Sequence, residues 1–275
     1  MSLNRKLAVV GILWVAVLGC SDSSQEDGRC PTVAATNSTL ECAAREFVAA
    51  GEPVFRLAEP GMCPGHFDVR PSQVATLRRC RVLLRLDFQK SLDAKLAGAQ
   101  ADGLSITEVA VPGGLCVPES YMAICRQTAD ALMAAGVIDK TTAEQTLIGV
   151  DSRVAELADN CGKRAEHIAG MPVIASVHQE AFCRWVGLNV IATFSGADTA
   201  GVRQIDDAVR KGEQAGVRMV IANLPEGRRI ADALAARLGA EVVVLGNFPA
   251  MDEGQSSFDD LVVSNTDALL EATAR

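Results

Sequence analysis

Cysteine and histidine are the side chains of this sequence whose types and spacing could do chemistry. The chain has nine cysteines and three histidines. Cys63 and His66 form a Cys-x-x-His spacing, short enough for both side chains to reach one ion from a single turn. His178 follows a short Val, Ile and Ala run, where a strand would end and a parallel sheet presents ligands. Because sulfur and imidazole donors suit tetrahedral Zn²⁺ and tolerate Cu(I), these residues predict a metal site.

The third histidine, His167, has no such role in the prediction. It stands beside Lys163, Arg164 and Glu166 near the end of a predicted long helix. A solvated histidine is favourable at a helix C-terminus.

Two runs of alternating strand and helix patterns must position these side chains. The first run predicts strands at 31–35, 53–57, 81–87 and 106–111, and helices at about 40–50, 71–79, 90–99 and 120–135. The second run predicts strands at 172–177, 188–194, 217–223 and 241–245, and helices at 179–186, 200–215, 226–238 and 257–273. Short apolar runs that alternate with amphipathic helices indicate parallel sheets covered on both faces. The predicted fold class is α/β, with two lobes that each carry a parallel four-stranded sheet flanked by helices.

One long helix is predicted between the lobes. Residues 141–144, which read TTAE, fit a capping box. An apolar stripe follows at helical spacing, made of Leu147, Val150, Val154, Leu157 and Cys161. This helix would hold two α/β lobes side by side, so that the loops after their strands form an interlobe cleft.

The N-terminus predicts export. Arg5 and Lys6 precede the apolar run 7–19, which is too short to cross the roughly 30 Å of hydrocarbon and is typical of a signal peptide. Residues 17–20, VLGC, resemble a bacterial lipobox, in which Cys20 would be acylated and anchor the mature chain; an unlipidated signal with a chance cysteine is the alternative. The predicted organisation is a signal peptide at 1–19, a lipidated tether at 20–30, a first lobe at 31–138, a linking helix at 139–169 and a second lobe at 170–275.

Composition excludes several classes of function. Hydrophobic residues at 49% and charged residues at 22% exclude a disordered chain. A net charge of −8 without a basic cluster argues against nucleic acid, and 4% aromatic residues argue against base-stacking platforms. The common catalytic motifs are absent from the sequence, so an enzyme is not expected. A Cys-His nucleophile built from Cys63 or Cys183 with His178 is a third option.

Three segments resemble the metal loops of the zinc and manganese solute-binding proteins of bacterial ABC importers, the cluster A-I family. Residues 61–72, GMCPGHFDVRPS, are similar to a first loop in which Pro-His precedes an aromatic residue and a Pro-Ser that opens a helix. Residues 111–119, VPGGLCVPE, are similar to the second loop, and residues 173–178, VIASVH, to the strand that ends in a metal-binding histidine.

The resemblance extends over nearly all of the mature chain, and it implies a function. It implies a monomeric, periplasmic or otherwise extracytoplasmic lipoprotein that captures a transition metal in its cleft. Zinc is the first expectation, with copper(I) and manganese as alternatives. The partner that it implies is the permease of an ABC importer.

The family's ligand positions are only partly kept. In the first loop the family histidine falls on Gly65, one place before His66, and in the second it falls on Gly113. The late acidic ligand falls near Gly246 or Asn247, so that His178 alone carries over residue for residue.

Cysteines stand in the same loops and supply the missing donors in the prediction. Cys63 and Cys116 together with His66 and His178 give four sulfur and nitrogen donors, the predicted metal site. Asp68, Glu180 and Cys183 are nearby reserves. Thiolate ligands would release protons on binding, so that affinity would weaken as the pH falls.

Disulfides are the competing interpretation of the cysteines. Eight cysteines follow Cys20, and an even set in an exported protein is normally paired. Cys63 could pair with Cys116, and Cys30 with Cys42, whereas Cys125 and Cys161 could be bridged or simply buried. In that case the chain would be a divergent member of the same fold that has lost the metal and binds another solute or a protein partner.

Overall fold

The computed structural model describes residues 30–58, 68–196, 202–251 and 254–274. The fold is α/β, as predicted, with two parallel four-stranded sheets. The predicted signal peptide, the lipidation site Cys20 and the two metal-ligand candidates Cys63 and His66 lie outside these residues. Among the helices of the described ranges, none combines the length and the apolar composition that a membrane span requires.

The first sheet lies in the N-terminal half. Its strands are β1 Val33–Ala35, β2 Val54–Arg56, β3 Val82–Leu86 and β4 Ser105–Val109. They pair in the order β2-β1-β3-β4, and every pair is parallel. The central strands β1 and β3 are buried along their whole length, which explains why their sequences are apolar except for Arg85.

The second sheet repeats this topology. Its strands are β5 Pro172–Ser176, β6 Asn189–Phe194, β7 Met219–Asn223 and β8 Glu241–Leu245. They pair in parallel in the order β6-β5-β7-β8. In both sheets the first and third strands in chain order are therefore central, so that the loops after β5 and β7 lie side by side.

The part of the chain that the structure describes contains ten α-helices. They are α1 Ser38–Arg45, α2 Pro71–Leu77, α3 Ser91–Lys95, α4 Ala97–Ala101, α5 Pro118–Ala134, α6 Lys140–Ala165, α7 Glu180–Trp185, α8 Val202–Ala215, α9 Arg229–Leu238 and α10 Phe258–Thr273. The sequence predicted a single helix at 90–99, and this was wrong. The structure has two helices there, α3 and α4, which are separated at Leu96, whose side chain is buried in the core.

The long helix α6 has the predicted apolar stripe, since Val150, Val154, Leu157 and Cys161 are buried. Its predicted capping box at 141–144 is wrong. The helix has 26 residues and is capped by Asp139, whose carboxylate accepts a hydrogen bond from the Thr142 backbone N–H at 2.7 Å. Asp139 stands three residues before Thr142, which is the spacing that lets an N-cap side chain satisfy a free N–H of the first turn.

One hydrophobic cluster joins elements of both halves of the chain and includes buried residues of α6. Arg153 of α6 strengthens this junction, because its guanidinium donates hydrogen bonds to Glu46, which follows α1, and to Asp259 of α10. Burial lowers the pKa of Arg153, but the hydrogen bond to Asp259 and the charge of Glu46 raise it more, so that this pKa lies above its ordinary value. The linking helix is thus tied to both sides by charge as well as by apolar packing.

Candidate metal centre

His178 lies just beyond the carboxyl end of β5. Its side chain is about half exposed, with 53% of its surface accessible. The Nε2 atom lies 3.5 Å from Oε1 of Glu226, which belongs to the short 3-10 turn Leu224–Glu226 after β7. Because β5 and β7 are neighbours in a parallel sheet, these two loops emerge at the same edge.

The carboxylate of Glu226 is held in place from two sides. Its Oε2 accepts a hydrogen bond from Ser176 Oγ at 2.6 Å, and its Oε1 accepts one from the Gly196 backbone N–H at 3.0 Å. A Cβ atom at Gly196 would lie only 2.8 Å from Oε1, so that glycine permits this close approach. The ends of β5, β6 and β7 and the loops that follow them therefore position the Glu226 carboxylate beside the His178 imidazole.

Sequence reasoning missed Glu226 as a site residue. The signal was present, because the residue comes three places after an apolar strand of a parallel sheet, as His178 does two places after its own. What the sequence did not reveal was that β7 is the neighbour of β5.

His178 and Glu226 supply a nitrogen and an oxygen donor, both common ligands of divalent transition metals. Within the described ranges, no three His, Cys, Asp or Glu side chains form a group that could hold a metal ion. A complete site needs further donors, and the two remaining candidates with suitable chemistry, Cys63 and His66, fall in residues 59–67, outside the structure's description.

Cys116 lies in the loop between β4 and α5 and is almost fully buried. Its thiol donates to the carbonyl oxygen of Gly246 at 3.2 Å and lies 3.5 Å from Oδ1 of Asn247. Burial raises the pKa of the Cys116 thiol to about 12, and the neighbouring Cys183 adds to the shift. The structure thus holds Cys116 as a protonated hydrogen-bond donor across the junction between the two sheets, whereas metal ligation requires a thiolate.

A cluster of neutral amides surrounds the same Gly246 carbonyl. This oxygen also accepts hydrogen bonds from Gln179 Nε2 at 3.0 Å and Asn265 Nδ2 at 2.9 Å. Asn265 in turn accepts from the Gly246 N–H at 2.9 Å, and Gln179 donates to Asn223 at 3.1 Å. The loop after β8 is therefore held in place by hydrogen bonds from uncharged side chains.

Comparison with solved structures shows which fold this is. A Mn-bound periplasmic metal-binding protein from Candidatus Liberibacter asiaticus is 12% identical and matches with a TM-score of 0.74, over 88% of this chain and 98% of that one. The Cd-bound form of that protein matches with a TM-score of 0.75 at 12% identity and the same shares of the chains. A crystal structure of ZnuA matches with a TM-score of 0.73 at 14% identity, over 89% of this chain and 99% of that one.

The chain has the fold of periplasmic metal-binding proteins. No protein-family model and no curated protein sequence matches the chain.

Two positions at which the resemblance places metal ligands are glycines with little room for a side chain. Gly113 has φ +130°, a backbone conformation that would strain any other residue, and a Cβ there would lie 3.0 Å from Ser120 Oγ. At Gly246 a Cβ would lie 2.8 Å from a methyl carbon of Leu261. A histidine at 113 would therefore strain the backbone, and a carboxylate at 246 would require the Leu261 side chain to shift.

Each of the seven cysteines that the structure describes is a free thiol. The suggested Cys30–Cys42 pair is not formed, because Cys42 is buried with its sulfur 3.6 Å from Met251 Sδ, whereas Cys30 is exposed beside Arg79. Cys125 and Cys161 are buried, as one of the two interpretations of them proposed.

The geometry gives little support to Asp68, Glu180 and Cys183 as further metal ligands, or to Cys183 as a nucleophile. Asp68 pairs with Lys95, whose hydrogen bond lowers the pKa of that carboxylate, and Glu180 pairs with Arg184 at 2.8 Å. Cys183 is fully buried, and burial raises the pKa of its thiol to about 12, so that it is a poor nucleophile. His167 is exposed in a short 3-10 turn, as expected.

Proposed function

We propose that this protein is an extracytoplasmic solute-binding protein that captures a transition metal ion, zinc before others, and delivers it to the permease of an ABC importer. The observation that carries the proposal is the pair His178 and Glu226, 3.5 Å apart at the carboxyl edge of the second sheet. This is the edge at which open parallel sheets bind ligands. The fold, shared with a periplasmic protein whose name describes it as metal-binding, supports it.

The proposed ion is held by His178 and Glu226 on one side and by Cys63 and His66 on the other. This set has two nitrogens, one oxygen and one sulfur, and such mixed donors suit tetrahedral zinc better than manganese, which prefers oxygen. Copper(I) would favour the cysteine, so it is the second ion to test.

Of the predicted ligands that the structure describes, Cys116 would have to change most before it could bind a metal ion. Before it could bind zinc, it would have to leave the Gly246 carbonyl and lose a proton from a thiol whose pKa is about 12. In this proposal it supports the loop after β8.

The remaining parts of the proposal concern the anchor and the delivery of the ion. Acylation of Cys20 would hold the mature chain at a membrane, and the polar tether 21–29 would let a monomer reach the permease. Since α6 is tied to both lobes, we propose that the lobes move little when the ion is bound.

Zinc binding by the purified chain tests the proposal. The affinity for zinc is measured by competition with a chromophoric chelator, in the wild type and in His178→Ala, Glu226→Gln, Cys63→Ser and His66→Ala. We expect a single zinc ion per chain and at least a tenfold loss of affinity in each variant. His167→Ala is the matched control, because this exposed histidine lies outside the proposed site. Full affinity of the His178→Ala variant would refute the site.

A second candidate is a divergent member of this fold that has lost the metal and binds another solute or a protein partner. The neutral amide cluster at Gly246, where the resemblance places an acidic ligand, favours it. Thiol titration with and without a chelator separates the two. A thiol that reacts only after chelation, together with bound metal, supports the metal carrier; the absence of metal and the same reactivity in both conditions support the second candidate.

A further inference from the structure

Cys30 and Cys80 stand at the amino ends of two neighbouring strands. Cys30 comes three residues before β1 and is exposed, whereas Cys80 comes two residues before β3 and is buried. Since β1 and β3 pair in parallel, with Val33 opposite Val82, the segments that lead into them run side by side.

The pairing of these segments continues ahead of the strands. The Arg81 N–H donates to the Thr32 carbonyl oxygen at 2.8 Å. One and two residues further back stand Cys80 and Cys30, and the guanidinium of Arg79 donates to the sulfur of Cys30. Neighbouring strands lie about 4.8 Å apart, and disulfides join Cα atoms separated by about 4.4–6.8 Å, so that the backbones here run at a distance that a disulfide can bridge.

The Cys30 sulfur also acts electrostatically on the Cys80 thiol. Burial raises the pKa of the Cys80 thiol to about 11, and Cys30 adds to this shift, which agrees with the side-by-side course of the two backbones. Cys42 lies elsewhere, because it belongs to the cluster that joins both halves of the chain, whereas Cys80 belongs to a separate cluster on the other face of the first sheet.

We propose that Cys30 and Cys80 form a disulfide that fastens the N-terminal tether to the first sheet. The oxidant is a disulfide compound of the exported compartment, either a protein or a small molecule. The Cys30 thiolate attacks one sulfur of that disulfide, breaks its S–S bond and releases the other sulfur as a thiolate. The Cys80 thiolate then attacks the Cys30 sulfur of the mixed disulfide and releases the remaining half of the oxidant as a second thiolate. The two cysteines lose two protons and two electrons, and the oxidant's disulfide is reduced to two thiols.

The bond would lie at the amino edge of the first sheet, whereas His178 and Glu226 lie at the carboxyl edge of the second sheet. It would attach the chain covalently to the first sheet ten residues after the proposed anchor Cys20, at the point where the tether joins the folded lobe. The inference depends on the proposed function in one respect only: an extracytoplasmic protein is in a compartment that oxidises thiols.

Peptide mapping tests the inference. The purified full chain is incubated in a glutathione redox buffer containing oxidised glutathione, its remaining thiols are alkylated, and it is digested with trypsin without reduction. Because Arg29, Arg45, Arg79 and Arg81 are cleavage sites, Cys30 and Cys42 fall in peptide 30–45, and Cys80 in dipeptide 80–81. We expect peptide 30–45 joined to 80–81 in the wild type and in Cys42→Ala, and free, alkylated Cys30 in Cys80→Ala.

Two results would overturn the inference. One is a peptide 30–45 that carries an internal Cys30–Cys42 bond. The other is a wild type in which Cys30 is alkylated as fully after oxidation as in Cys80→Ala. Zinc affinity is measured on the oxidised and the reduced chain, and we expect less than a twofold difference. Loss of zinc binding in both forms would refute the proposed function and leave the disulfide standing, so that the two failures are distinguishable.

Discussion

Tyr121 and Phe258 stack ring on ring, with their centroids 4.0 Å apart and their planes 1° from parallel. Tyr121 belongs to α5, which follows the first sheet, and Phe258 opens α10, which follows the second. Both rings are almost completely buried. The Tyr121 hydroxyl donates to Glu46 at 3.0 Å, and Glu46 also accepts from Arg153, so the stack and the charged network form one connection between the lobes.

Removal of one ring from this stack should strongly destabilise the fold. For Phe258→Ala we expect a loss of about 3–5 kcal/mol in the free energy of unfolding, because the change leaves a cavity and removes the ring contact. For Tyr121→Phe we expect only about 1 kcal/mol, since Glu46 keeps its bond to Arg153. Urea unfolding measures both, and equal losses in the two variants would contradict the importance of the stack.

Arg153→Met should destabilise the protein by about 1–3 kcal/mol. It leaves Glu46 and Asp259, with side chains 23% and 25% exposed, without their common cation, and solvent reaching them limits the cost. Arg126→Met is the matched control, because Arg126 and Asp151 are 60% and 62% exposed and their ion pair at 3.4 Å should contribute little. The measurement is urea unfolding at low and high salt, and a control variant that loses as much stability would show that ion pairing in the junction has no special role.

The reduced protein should lose stability steeply above pH 9. Burial raises the pKa of Cys42, Cys116, Cys125 and Cys183 from 9.0 to about 12 in the folded chain. Below pH 9 these thiols are protonated in both states and the full stability is present. Between pH 9 and 12 the unfolded chain loses protons first, which favours unfolding, so we expect a loss of about 3–5 kcal/mol between pH 8 and pH 10.

Unfolding in urea at the two pH values, with a thiol reductant present, measures this loss. The double variant Cys116→Ala/Cys183→Ala should show about half of the pH effect. A wild type with equal stability at both pH values would mean that these thiols ionise in the folded protein.

Gly196→Ala should weaken zinc binding while leaving the fold intact. The new Cβ would lie 2.8 Å from Glu226 Oε1, so that the end of this flexible side chain would have to leave its present position beside His178. We expect a fivefold or greater loss of zinc affinity with an unchanged circular dichroism spectrum. Gly149→Ala is a suitable control, since no heavy atom lies within 4 Å of the Cβ position there.

Cys116→Ala distinguishes a ligand from a supporting thiol. If Cys116 only holds the loop after β8 through Gly246, zinc affinity should fall by less than threefold, because Asn265 and Gln179 still bind the same carbonyl. A loss as large as that of His178→Ala would establish Cys116 as a ligand and contradict its assignment here. The same chelator competition measures both variants.

Much of the architecture could be predicted from local patterns. Each of the eight predicted strands is present, within about two residues of its predicted ends, because a buried parallel strand is recorded in the sequence as a short apolar run. The stripe of α6 is equally local, since its apolar residues recur at the period of the helix. The cap of α6 was missed because Asp139 and Thr141 are both good capping residues, and only the backbone conformation selects one of them.

The sequence by itself determined that there are two α/β halves, that a long helix joins them, and that His178 ends a strand. Only the tertiary structure decided that Glu226, 48 residues later, lies beside His178, that Cys116 is buried against Gly246, and that the segment leading from Cys30 into β1 runs beside the segment that carries Cys80. The physical reason is that secondary structure follows from side-chain periodicity over a few residues, whereas these contacts depend on the order in which distant strands pair.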